Sequence, residues 1–581
     1  MTGYGLQQSI NFMRTKVYFK TLILFLYFLS VAGCNPNISP DMLLINGKII
    51  TVDKNFSIAE AVAVKGDRIA EVGSTMEILR LSGKETKVID LKGKTVIPGL
   101  IDAHLHPESA ALSELHGEIP DLHTVGELLT WIRSQADGKK DGEWIIHPRF
   151  FYTRLEELRP PTLEELDEAA PQNPVFLNGS FGGMINSAAM KVSGISEKTV
   201  HPGIIHDKLT GSLTGFIRAS AFKLLRLPPE ETVSDEKMLD AVESMLKRYN
   251  SYGITGVCSG EGDFRNYEMY RNLHEKGRLT ARVFQNILLN PGQEESLNKL
   301  LDSIQRFRLT TGSGDEWVKI GALKIFIDGG ILTGTAYLTE PWGEKAAEIF
   351  GIEEPDFHGV LRYSYDKVLS SVRIAAENNW KFTAHCTGDG AVNMLLDAYE
   401  EVNKTIPLKG KRFSIIHGNF FDENAMKRMY KMGIYADMQA AWFYKDADAM
   451  KTILGADRIR SFHPYRSMVD AGIMVNGGSD HMVKWDANTS VNPYNPFLGM
   501  WTMITRTTEK GSEIFPEEVV TREEALKMYT INNAFASFEE DLKGSLEPGK
   551  FADLAVISDD ILTCPAYQIR NIVSLLTITG G

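Results

Sequence analysis

Ile97-Pro98-Gly99-Leu100-Ile101-Asp102-Ala103-His104-Leu105-His106 is the stretch that decides the reading of this chain. An apolar run begins after Pro-Gly punctuation and ends in two histidines separated by one residue. In a strand, residues two apart share a face, so His104 and His106 point the same way at the strand's C-terminal end. Histidine is the commonest zinc ligand, and two fixed on one strand lower the entropy of assembling a site. Alone, an HxH pair is a weak signal that a solvated pair would also give. Its weight comes from what repeats further along.

Seven more apolar runs read as strands: Ile254 to Ser259, Val283 to Leu288, Leu323 to Asp328, Phe382 to His385, Ser414 to His417, Ile434 to Met438 and Ile473 to Asp480. Helical patterns separate several of them, at Asp235 to Tyr249, Tyr365 to Asn378, Ala391 to Asn403 and Glu423 to Met432. With Leu100 to His106 this makes eight strands with crossovers, which predicts a (β/α)8 TIM barrel in an α/β chain. The gap after strand 1 is too long for one helix, so residues about 107–235 read as an insertion with a strand of their own at Pro174 to Leu177.

On either side of the barrel the pattern is short alternating strands. Asn46-Gly47 separates Leu43-Leu44-Ile45 from Lys48 to Val52 and predicts a hairpin, and Gly66-Asp67 repeats the form. The tail turns at Gly544 to Lys550 and resumes as a strand at Ala552 to Ile557. We read a small β-sandwich built from N- and C-terminal segments. The boundaries are 42–97 and 541–581 for the sandwich and 98–540 for the barrel, with 34–41 as a tether.

Residues 1–33 read as an address. Arg14, Lys16 and Lys20 precede the apolar run Thr21 to Val31, too short to span a bilayer, and Val31-Ala32-Gly33-Cys34 resembles a bacterial lipobox. The expectation is a lipoprotein signal peptide, lipidation at Cys34, and a protein of the bacterial cell envelope, membrane-anchored and facing the periplasm or exterior. Composition narrows the rest. A formal charge of −13 over 581 residues argues against a nucleic-acid partner, which favours a basic face. With 43% apolar and 24% charged residues the chain is globular, and four cysteines do not make a disulfide scaffold.

The chemistry lies at the strand ends. His385 ends KFTAH, His417 ends FSIIH, and Asp480 ends MVNGGSD, while Lys324 shares a strand face with Phe326 and Asp328. A bare ammonium inside a barrel is costly. Carboxylated by carbon dioxide, Lys324 becomes an anion suited to bridge two cations. Four histidines, one lysine and one aspartate from five strands point to a metal site.

These residues, with Asn186-Ser187-Ala188-Ala189-Met190, Gly388-Asp389-Gly390-Ala391-Val392, Gly478-Ser479-Asp480 and Gly544 to Leu554, resemble the metal-dependent amidohydrolase superfamily. The likeness lies in its family 3 branch, which includes N-substituted formamide deformylase. The resemblance runs from about Met42 to Thr579. It implies that His104 and His106 bind the more buried divalent metal, zinc by preference. His385 and His417 would hold a second where two are bound, with carboxylated Lys324 between them. Asp480 would touch metal and act as catalytic base. The implied reaction is hydrolysis of a non-peptide carbon–nitrogen bond in a small amide, N-formyl or N-acyl substrate. The alternatives are a metal-assisted isomerase, a C–O esterase or lactonase, and a non-catalytic envelope binding protein. Phe181, Asn186, Asp328, Trp442 and His481 are the expected pocket residues, and a homodimer is the expected assembly. The chain departs from the branch at Phe181, where a histidine is common, at Gly334, where an arginine is common, and at Ile416, where glutamate is common. A less polar pocket is expected.

Overall fold

The structure is a computed structural model that describes residues 39–117, 119–229 and 232–581. The signal-peptide reading of 1–33, Cys34 and most of the 34–41 tether lie outside the described residues.

Eight parallel strands form the central sheet. They are β1 (Leu100–Leu105), β2 (Ile254–Ser259), β3 (Arg282–Leu288), β4 (Val318–Phe326), β5 (Phe382–Cys386), β6 (Ser414–His417), β7 (Tyr435–Gln439) and β8 (Val475–Gly478), each paired with its neighbours in that order. Between the end of β1 and the residues just past β8 the ring is joined by hydrogen bonds: Asp480 N donates to His104 O at 2.7 Å and His106 N to His481 O at 2.7 Å. Asp102 sits in this seam and accepts from His104 N at 3.0 Å and Ser479 N at 3.1 Å. Burial pushes its carboxyl up to about 7 despite those bonds.

Parallel strands covered on both faces read as near-continuous apolar runs, and β1 is buried throughout. The outer helices lay an apolar stripe on the sheet. Val368, Val372 and Ala375 of helix Tyr365–Glu377 and Leu395 and Tyr399 of helix Asp389–Asn403 join one core with Leu323 and Phe382.

The insertion after β1 carries a five-stranded sheet ordered Ile204–His206, Leu213–Arg218, Gly182–Ile185, Val175–Asn178, Ile145–His147. It packs over the barrel mouth around Phe150, Phe151, Ile331 and Phe443. Arg154 anchors it: Nε and Nη2 reach the two oxygens of Asp446 at 2.8 and 2.9 Å on helix Ala440–Leu454.

Both chain ends build the sandwich. One sheet orders Arg68–Gly73, Ala61–Lys65, Met42–Ile45, Lys87–Asp90; the other orders Ser574–Ile578, Leu554–Ile557, Thr95–Pro98, Lys48–Ile50, Ile58–Ala59. Gly66-Asp67 makes its expected hairpin, with Lys65 opposite Arg68. Asn46-Gly47 does not. Met42–Ile45 pairs with Ala61–Lys65 and Lys87–Asp90, whereas Lys48–Ile50 belongs to the facing sheet. The physical reason is burial on both sides of the corner: Leu43, Leu44, Ile49 and Ile50 are all fully buried, so the chain crosses between layers instead of folding back.

Candidate active site

β1, β4, β5, β6 and the residues after β8 bring the six expected side chains to one end of the barrel, where barrel enzymes keep their sites. His106 Nε2 lies 3.1 Å and His104 Nε2 3.4 Å from the same oxygen, Oδ1 of Asp480. Among the described residues, His104, His106 and Asp480 form a group whose ligand atoms all lie within 4.8 Å of one another. His417 packs edge-on against His104 with ring centres 5.4 Å apart, and His385 adjoins His417 at 4.6 Å.

The hydrogen bonds fix which nitrogens are free. Gln439 Nε2 donates to Asp437 O at 2.7 Å, so Gln439 Oε1 is the atom 2.8 Å from His417 Nδ1. An amide oxygen only accepts, so Nδ1 carries the proton and Nε2 offers its lone pair. In His385 the roles reverse: Nε2 donates to Gly329 O at 2.9 Å and Nδ1 is left. Both nitrogens of His104 are buried without a hydrogen-bond partner, and so is Lys324 Nζ. Burial, with nearby Lys324 and the neighbouring histidines, holds His104 well below the usual imidazole range, and burial holds His417 down at about 4. Burial also lowers Lys324, despite Glu261 and Asp480 nearby. At neutral pH these imidazoles are uncharged and able to donate lone pairs.

Asp480 is held from several sides. Trp442 Nε1 donates to Oδ2 at 3.0 Å, and Asn492 Nδ2 donates to its backbone carbonyl at 2.7 Å. Burial raises its carboxyl, but the hydrogen bond from His106 and the charges of His417, His106 and Lys324 outweigh this, and the net shift is downward. His417 and Asp480 have φ of 71° and 57°, left-handed backbone that costs non-glycine residues about 1–3 kcal/mol each and clusters at functional sites. Gly260, just past β2, makes room for the pair on β1: a Cβ there would lie 2.4 Å from His104 Cε1.

These groups floor a cavity of about 370 Å³. Phe181 and Trp442 line it, with the Phe181 ring centre 5.0 Å from that of His385. Three expected pocket residues do not line it. Asn186 caps helix Ser187–Ser193 and uses its whole amide inside the insertion, accepting from Val175 N and Ala189 N and donating to Ala170 O and Asn173 O. Asp328 shares parity with Lys324, but β4 ends at Phe326, and beyond it the carboxylate accepts from Tyr337 N, Thr387 N and Gly388 N. His481 turns away from the mouth and binds Tyr249 Oη at 2.8 Å and Lys484 O at 2.7 Å. Gly334 has φ +64°, and a Cβ there would meet the Phe350 ring at 2.6 Å, so no arginine fits in this backbone.

Sequence reasoning missed Gln439, Arg149, Glu261, Asn419 and Arg362. The last four line the cavity, and Gln439 orients a histidine. Gln439 ends β7 at the same barrel end as the other ligands, a signal that was available. Arg149 lies in the insertion, where period and spacing say nothing about what faces the barrel.

A family model described as "Amidohydrolase family" matches residues 87–581. The chain belongs to the amidohydrolase family. N-substituted formamide deformylase of Arthrobacter pascens is 30% identical over 93% of this chain and 97% of its own length. Protein LONG AFTER FAR-RED 3 of Arabidopsis thaliana is 27% identical over 96% of this chain and 95% of its own. Among solved structures, an uncharacterised metal-dependent hydrolase from Pyrococcus furiosus superposes with a TM-score of 0.64 at 23% identity, covering 90% of this chain and all of its own. Atrazine chlorohydrolase TrzN from Arthrobacter aurescens, solved with zinc, gives 0.52 at 14% identity over 93% of this chain and 94% of its own. At such identities the solved structures speak for the shared barrel fold. As a member of the family the chain is a metal-dependent hydrolase of carbon–nitrogen bonds. Its donor set fits a divalent cation: uncharged imidazoles and a carboxylate converge, and buried nitrogens of His104 and Lys324 are unsatisfied.

Proposed function

We propose that this chain hydrolyses the carbon–nitrogen bond of an N-formyl or N-acyl amine, a small molecule rather than a peptide, in the cavity above Asp480. The observation that carries the reading is that His104 and His106 face one oxygen of Asp480, that the rings of His417 and His385 pack beside them, and that both nitrogens of His104 and Lys324 Nζ are buried without a partner. His104 and His106 would hold the more deeply buried ion. His385 through Nδ1 and His417 through Nε2 would hold a second, and the nitrogen-rich donor set favours zinc. Lys324 would complete the set as a carbamate: burial favours the neutral amine, whose Nζ would add to carbon dioxide, form an N–C bond and release a proton. A cation bound there supplies Lewis acidity, lowering the pKa of a water and polarising a carbonyl.

The chain's own groups do the rest. Trp442 pins Oδ2 of Asp480, while Oδ1 faces the metal-binding histidines; with the His106 Nε2 lone pair given to a cation, Oδ1 would accept a proton from the attacking water and return it to the leaving nitrogen. Phe151, Phe181 and Trp442 shield the site from bulk water and favour an apolar substituent on the substrate. The test is Asp480→Asn: turnover falls about 10³-fold while bound metal stays near wild type. Full activity in the variant removes Asp480 from the mechanism. Heavy oxygen from labelled water must enter the acid product; an unlabelled product points to isomerase chemistry, and faster cleavage of matched esters to a C–O hydrolase.

The same proposal places the enzyme on the bacterial envelope through lipidated Cys34, supported by Arg14, Lys16, Lys20 and the run Thr21 to Val31. Cys34→Ala should move the protein from the membrane to the soluble fraction. Retention in the membrane would remove the anchor.

A further inference from the structure

Arg149 stands in the roof of the cavity, two residues beyond the insertion strand Ile145–His147. It lines the substrate cavity and also a neighbouring cleft of about 70 Å³, so it forms part of the wall between them. Its Nε is buried with no hydrogen-bond partner. The contrast with Arg154 is direct: that guanidinium is bidentate on Asp446, whereas Arg149 makes no ion pair among the described residues. The acidic groups that act on Arg149 from the cavity are Asp480 and Glu261. Both oxygens of Asp480 are already engaged, by His106 and Trp442. Lys484 lines the neighbouring cleft and likewise makes no ion pair among the described residues.

A guanidinium in apolar surroundings is expensive unless an anion completes it, and its planar fork matches a carboxylate. Phe151 beside it supplies an aromatic wall but no negative charge. Among the described residues no carboxylate pairs with the Arg149 guanidinium, and its Nε has no partner. Arg149 lines the same cavity as His104 and Asp480.

We propose that Arg149 is an anion subsite, and that the substrates are N-acylated amines carrying a carboxylate away from the bond that is cut. The substrate class rests on the hydrolase reading above; the anion subsite does not. Lys484 adds a second positive charge behind the same wall.

The test separates the two. Phenylacetate and its neutral isostere 2-phenylacetamide are titrated into the purified full-length metal-loaded protein by calorimetry. Wild type should bind the acid at least about tenfold more tightly than the amide, the size of one charge-assisted hydrogen-bond pair. Arg149→Gln should remove that preference and leave the amide unchanged, and Arg149→Lys should restore part of it. Equal binding of phenylacetate to wild type and R149Q, as when a carboxylate is held at the histidine floor alone, overturns the subsite. So does a loss of both ligands together. Turnover is then compared for N-formylphenylalanine and N-formylphenethylamine. A higher kcat/KM for the acid, lost in R149Q through KM, supports the substrate class. Cleavage of the neutral amine alone overturns that class and leaves the hydrolase reading intact. Cleavage of neither, with Arg149-dependent phenylacetate binding intact, counts against those substrates and supports the subsite.

Discussion

Glu539 offers a sharp test of how the tail is fastened to the barrel. Its carboxylate is 3% exposed and lies between two ammonium groups, Lys319 Nζ of β4 at 2.7 Å and Lys543 Nζ at 2.6 Å. Burial alone would raise its pKa, but Lys543 and Lys319 outweigh burial and bring it from 4.5 down to about 2. A drop of that size at ~1.4 kcal/mol per unit corresponds to about 3 kcal/mol of stability. The sign follows from linkage. The folded pKa lies below the unfolded one, so the contribution is full above about 4.5 and is lost as pH falls toward about 2. Glu539→Gln should remove it at neutral pH and leave two close ammonium groups uncompensated. With an unfolding entropy of about 2.1 cal/mol/K per residue, the loss lowers Tm by roughly 3 °C for a chain of this length. The assay is thermal unfolding of wild type and variant at pH 7, 5, 4 and 3. The Tm gap should be widest at pH 7 and should close as pH falls below about 4.5. A gap that is absent at pH 7, or that keeps its full size at pH 3, refutes the reasoning.

Two further predictions concern the site and its roof. Gln439→Leu frees the Nδ1 proton of His417, and metal affinity, measured by competition with a chelator, should drop about 10–100-fold; unchanged affinity would mean that Gln439 does not orient the ligand. Asp446→Ala strands Arg154, should cost about 3–5 kcal/mol, and should speed hydrogen exchange across Phe150 to Phe181 with a raised KM. Unchanged exchange in that segment would show that the roof is held elsewhere.

Much of the barrel was legible because its signals are local. β2 and β6 match the sequence reading end for end, since each is an apolar run closed by a polar residue. The metal candidates were legible for a related reason: strand parity puts residues two apart on one face, and strand ends converge in a barrel. The same parity argument misplaced Asp328, because β4 stops at Phe326 and the face it defined ends there. Asn186 and His481 failed for want of loop geometry, which alone shows that their polar atoms are spent on backbone and Tyr249. Asn46-Gly47 has hairpin chemistry, but the burial of both flanking strands sends the chain across the sandwich. Arg149 was out of reach, since its role depends on how a whole inserted sheet docks over strands distant in sequence.

The central claim is that the histidine cluster holds catalytic metal. Elemental analysis of protein purified without chelator tests it most directly, on wild type beside His104→Ala. The account predicts about one to two equivalents of a divalent metal per chain in wild type, a marked loss in the variant, and a parallel loss of amide hydrolysis. Less than about 0.5 equivalent in fully active wild-type protein, or full metal content in the variant, would contradict it.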